Sequence, residues 1–107
     1  MIEHVSRADG EEFVRKCFAA LGHGGTLVIE CPDFRAACER FLNSGPRTMQ
    51  HLFGNQTNPW QYHLWGYTRA SLPDLLKGEE FEIASVGDGT DYHAKSEPCM
   101  RVEAVKP

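Results

Sequence analysis

The residues of this chain best suited to chemistry crowd into one stretch, Gly54-Asn-Gln-Thr-Asn-Pro-Trp-Gln-Tyr-His-Leu-Trp-Gly-Tyr67. It holds both tryptophans, two of the three tyrosines and one of the five histidines. His63 stands between Tyr62 and Trp65. An imidazole titrates near neutral pH, so His63 can act as a base towards a bound hydroxyl or hold it by a hydrogen bond. The same ring can instead bridge backbone groups and simply hold the loop in shape. Asn55, Gln56, Asn58, Trp60, Tyr62 and Tyr67 suit a polar acceptor such as a sugar, with rings that stack and amides that bond hydroxyls. The competing reading is a lid whose aromatics pack on the core. Residues 54–67 carry no clean hydrophobic period, and a polar, aromatic loop of this length in a small domain is more often functional than idle.

The other chemically versatile side chains are dispersed. His23 and His51 are expected on the surface. His93 lies near Asp88, Asp91 and Tyr92 without metal-ligand spacing, so no metal centre is expected. Cys17, Cys31, Cys38 and Cys99 form no Cys-x-x-Cys pair. They read as reduced thiols serving as small hydrophobes, with a disulfide framework or a zinc site as the alternatives.

The elements that must position these groups alternate between helix and strand. Asp9 followed by Glu12 predicts a capping box. Phe13, Val14, Cys17, Phe18 and Leu21 then recur at helical spacing until Gly22-His23-Gly24-Gly25 ends the helix. Thr26 to Cys31 reads as a strand buried on both faces, as in a parallel sheet. Asp33 caps a helix through about Leu42 that buries Phe34, Ala37, Cys38, Phe41 and Leu42. Asn43-Ser44-Gly45-Pro46 breaks the chain, and Arg47 to Phe53 forms a short second helix. A further helix begins at Thr68 or at Ser71, the later start being favoured because Pro73 then falls in the first turn. It turns Leu72, Leu75 and Leu76 inward. Phe81 to Val86 and Cys99 to Val105 alternate as strands, and Gly87-Asp88-Gly89 reads as a turn. The order predicts an α/β fold.

Length and composition set the outer bounds. With 107 residues, 41% apolar and 24% charged, residues 1–107 make one soluble domain. A net charge of −4 lacks the basic footprint of a nucleic-acid or anionic-membrane partner. No apolar run approaches a membrane span, and the first residues lack the pattern of a signal peptide, so a cytoplasmic location is expected.

Several motifs, taken in order, carry a resemblance. Ile2-Glu3-His4-Val5, the capped helix, Leu21-Gly22-His23-Gly24-Gly25-Thr26-Leu27 and Ile29-Glu30-Cys31-Pro32-Asp33 resemble the C-terminal half of a class I S-adenosylmethionine-dependent methyltransferase. His23 stands where that family usually has proline. Leu52-Phe53-Gly54-Asn55-Gln56 and His63-Leu64-Trp65-Gly66-Tyr67-Thr68 resemble a subgroup associated with sugars or cell-surface polymers. The helix leading to Gly78 and Phe81 matches the family's closing helix-to-strand step, with Glu79-Glu80 displacing the usual Gly-Phe. The resemblance covers nearly the whole chain. It implies a Rossmann-like sheet of which this chain supplies the fifth, sixth and seventh strands, the last antiparallel, with flanking helices. It also implies S-adenosylmethionine as cofactor, and it places Glu3 and His4 at the turn beside the methyl group. Some members use an acid or histidine there for contacts to substrate or a metal ion. Glu3, His4 and His63 are therefore the candidate catalytic residues, with Glu3 and His4 also touching the cofactor; terminal fraying is the competing reading for the first pair.

The family's glycine-rich cofactor turn, between a strand and a helix, has no counterpart here. Gly22-His23-Gly24-Gly25 joins a helix to a strand instead. The chain thus looks like about half of a larger fold, inactive or incomplete by itself, with a cofactor site that this chain does not complete. Strand 26–31 is expected to lie against the final strand on one edge, leaving the other for a second copy or for a missing N-terminal half. The alternative function is a non-catalytic remnant or interaction module that self-associates and binds no cofactor.

Overall fold

A computed structural model describes residues 2–90 and 97–107. Asp91, Tyr92 and His93, considered above beside Asp88, lie outside the described residues. The elements are α1 (Arg7–Ala20), β1 (Thr26–Pro32), α2 (Phe34–Ser44), α3 (Gln50–Phe53), α4 (Ser71–Gly78), β2 (Glu82–Asp88) and β3 (Cys99–Val105). Short 3-10 turns occupy Ile2–His4, Gly45–Thr48 and Pro59–Gln61.

The fold is α/β, with a three-stranded open sheet in the order β1-β3-β2. The central β3 runs antiparallel to both neighbours, with Ile29 opposite Val102 and Cys31 opposite Met100 on one side, and Val86 opposite Val102 on the other. It has the strictest alternation, burying Met100, Val102 and Ala104 completely. These pack with Val14 of α1, Ile29 and Cys31 of β1, Leu72 and Leu76 of α4, and Phe81. The period-2 pattern of β3 meets the helical stripe of α4, and this overlap makes the core.

The edges of several elements depart from expectation. Ser6, not Asp9, caps α1: its hydroxyl accepts the Asp9 amide at 3.1 Å. Asp9 instead adds a carboxylate to the positive first turn. At the other end Lys106 donates to the carbonyls of Phe18 and Leu21, both at 2.8 Å, supplying the cation that a helix C-terminus favours. Strand β1 is not buried on both faces. Its side chains alternate instead: Ile29 and Cys31 face the core, whereas Val28, on the opposite face, is 41% exposed. Asp33 caps α2 as expected, accepting from the Ala36 amide. Yet Leu42 is 79% exposed and Phe34 is partly exposed, since α2 packs chiefly through Ala37. Residues 47–53 split into a 3-10 turn and the one-turn α3. Helix α4 starts at Ser71, with Thr68 and Ser71 exchanging hydrogen bonds across the first turn. Gly87 and Asp88 continue β2, opposite Arg101 and Met100, where a turn was expected.

All four cysteines are free thiols; Cys31 is buried and the others are half-buried. No helix among the described residues is long and apolar enough to cross a membrane.

Candidate functional site

The carboxyl end of β1 opens into a cavity of about 360 Å³. Glu30, Cys31 and Pro32 form its floor. Glu3 and His4 enter from the N-terminal 3-10 turn, Gln50 and His51 from α3, and Gly54, Asn55, Trp60, Gln61 and His63 from the aromatic loop. Ligands of open α/β sheets bind outside the carboxyl ends of strands, and this cavity has that position.

Backbone hydrogen bonds fix the loop against the N-terminal turn. The His63 amide donates to the Phe53 carbonyl at 3.0 Å and the Leu64 amide to the Glu3 carbonyl at 2.8 Å. Gly54 makes the fold-back feasible. Its φ is +82°, and a side chain there would run into the Gln61 carbonyl. Asn58 and Gln61 brace the segment internally, accepting the Trp60 and Thr57 amides.

Glu3, His4 and His63 consequently meet. The His4 and His63 rings lie edge to face with centroids 5.1 Å apart. His4 Nε2 is 3.5 Å from Glu3 Oε2, and the Glu3 side chain is only 7% exposed. His4 Nδ1 lies 3.1 Å from the Tyr62 carbonyl. A carbonyl only accepts, so Nδ1 carries the hydrogen in this contact, and Nε2 is the ring nitrogen beside Glu3. Burial, reinforced by nearby His4, lowers the pKa of His63, while hydrogen bonds at the His51 and Leu52 backbone oppose the shift. His63 is therefore predominantly neutral at pH 7, an acceptor of hydrogen bonds or protons.

The remaining candidates separate. Asn55 and Trp60 line the cavity, Trp60 as an exposed rim residue suited to stacking. Gln56 points its amide at the Phe53 carbonyl, and Asn58 spends its side chain capping the 59–61 turn. Tyr62 contributes its carbonyl rather than its ring. Tyr67 is 4% exposed in the core cluster, its hydroxyl against Gly10, and does not reach the cavity. Burial raises its pKa accordingly.

Sequence reasoning missed His51, which is buried at 8% exposure rather than on the surface. Helix α3 is only one turn long, yet the returning loop covers it, and burial followed by the Arg40 charge lowers the His51 pKa. It also missed the cavity-facing Cys31 and Cys99 on adjacent strands. Burial, then the Glu3 charge, pushes the Cys31 thiol far up, so it is no nucleophile at neutral pH.

Neither a family model nor a curated protein sequence matches this chain.

Proposed function

We propose that this chain is the acceptor-binding half of a class I S-adenosylmethionine-dependent methyltransferase, inactive by itself, and that its cavity receives a hydroxylated acceptor such as a sugar. The observation that carries the reading is the strand arrangement. The last strand, β3, is inserted antiparallel between β1 and β2, with a polar cavity at the carboxyl end of β1. That is the order the resembled family has for its fifth, seventh and sixth strands.

The described residues do not fit the cofactor. Strand β1 passes to α2 through Pro32 and Asp33, and the glycine turn at 22–25 lies at the opposite end of β1. The acceptor side is better supplied. Trp60 offers a stacking face, Asn55 and Gln61 offer amides, and neutral His63 can take the acceptor's hydroxyl proton while Glu3 compensates the charge that forms. On this reading the open edge of β1 is where a neighbouring strand belongs, from another copy or from a companion half.

The test combines two titrations of the purified chain. Monosaccharides should change the fluorescence of Trp60, with the change lost in Trp60→Phe. Calorimetry should register no binding of S-adenosylmethionine. Micromolar cofactor binding, or the absence of any saccharide response, would overturn the proposal.

A further inference from the structure

Glu3 and His4 meet in the wall of the cavity, close to His63. Nδ1 of His4 donates to the Tyr62 carbonyl, which leaves Nε2 as the ring nitrogen beside Glu3 Oε2, 3.5 Å away. Two ligand atoms about 2.1 Å from one tetrahedral zinc stand about 3.4 Å apart, so this separation suits a shared cation. A proton could bridge two such atoms, but a third donor lies close by. Ligand atoms of Glu3, His4 and His63 all lie within 4.8 Å of one another.

We infer that Glu3, His4 and His63 form a binding site for one divalent transition-metal cation of the zinc class. Two imidazoles and one carboxylate are the donor set such ions take when a coordination position is left open. The outer contacts fit as well. A ligating histidine characteristically donates its other ring N–H to a carbonyl, which fixes tautomer and ring plane, and His4 does so towards Tyr62. The His63 amide donates to the Phe53 carbonyl at 3.0 Å, which fixes the backbone that carries its ring. All three residues line the cavity, and so does His51, 8% exposed and with a buried Nδ1 that has no hydrogen-bond partner among the described residues. The three ligands come from a turn at one end of the chain and a loop far along it, so no local spacing announces the site. The inference does not depend on methyl transfer. If both hold, the cation would bind the acceptor oxygen directly and lower its pKa, and the proton would pass to solvent water rather than to His63, whose ring would then be a ligand.

The test is titration of the metal-free chain with cobalt(II) chloride, followed by zinc competition. The expected result is one cobalt per chain, with the visible absorption of a low-coordinate nitrogen–oxygen site, displaced by zinc. Glu3→Gln and His63→Gln should each weaken binding by about tenfold or more, while His23→Gln should leave it unchanged. Thermal melting with and without zinc keeps the test decisive if a variant is less stable: zinc should raise the wild-type Tm and not that of a folded variant. Absence of stoichiometric binding, thiolate charge-transfer bands, or affinity unaffected by Glu3→Gln and His63→Gln would overturn the proposal.

Discussion

His4 and His63 stand edge to face, ring centroids 5.1 Å apart, although one opens the chain and the other lies beyond its midpoint. The contact follows from two backbone hydrogen bonds, Leu64 to Glu3 and His63 to Phe53, which sew the aromatic loop to the N-terminal turn and to α3. Glu3 sits beside His4 in the same enclosure. The chain's carboxylate–imidazole chemistry is therefore a product of tertiary folding.

Stability should depend on pH through the buried histidines. His51 and His63 both have pKa values below the ordinary 6.5, chiefly through burial. The unfolded chain then binds more protons than the folded one as pH drops below about 6.5, so stability is fully present above that value and falls as pH descends towards the lowered pKa values. Thermal melts from neutral to mildly acidic pH should show a declining Tm, with a shallower decline in His51→Gln and His63→Gln. A Tm that rises on acidification over this window would contradict the assignment.

Gly54 should be irreplaceable. Its positive φ and the nearby Gln61 carbonyl leave no room for a Cβ. Gly54→Ala is expected to cost at least about 1–3 kcal/mol from backbone strain, with the clash added. Gly22→Ala, where a Cβ meets nothing within 4 Å, should change stability by less than about 0.5 kcal/mol. Urea unfolding of the two variants measures the contrast, and equal effects would refute it.

The helices and strands were legible from pattern, and the loop's conformation was not. Leu72 and Leu76 announced α4, and the alternation of Met100, Val102 and Ala104 announced β3 with its observed bounds. These signals are local, because periodicity reports one element burying one face. Whether Leu42 or Val28 finds a partner depends on elements elsewhere, and both proved exposed. Among the cavity-lining residues, residue type singled out His63, Asn55 and Trp60, while Glu3 and His4 came from the resemblance. It could not separate Tyr67, which the Asp33–Tyr67 bridge draws into the core, from rings that face outward. His51 was illegible because a one-turn helix has no period from which to read burial.

The core is small enough for one residue to test it. Leu72 is fully buried where α4 meets the sheet. Leu72→Ala should lower stability by about 2–5 kcal/mol. Denaturant unfolding with an unchanged m-value is the expected signature; a loss below about 1 kcal/mol would place the core elsewhere.

The edge of β1 away from β3 carries no ladder among the described residues and invites pairing. The Asp33 amide donates to Pro98, so alternation turns the Pro32 nitrogen away from β3, towards the open side where a missing N–H costs no ladder bond. Light scattering over a dilution series should show self-association that Val28→Lys reduces, since a charge on an edge strand opposes augmentation. A chain that is monomeric throughout would remove another copy as the partner of this edge.

The central claim is that the cavity at the carboxyl end of β1 takes a polar, hydroxylated acceptor. Backbone and indole NMR shifts during titration with a panel of monosaccharides test it most directly. The account predicts saturable shifts at Asn55, Gln61, His63 and the Trp60 indole, with Gly22 and Lys77 unmoved. Shifts confined to other surfaces, or no saturable shift with any sugar, would contradict it.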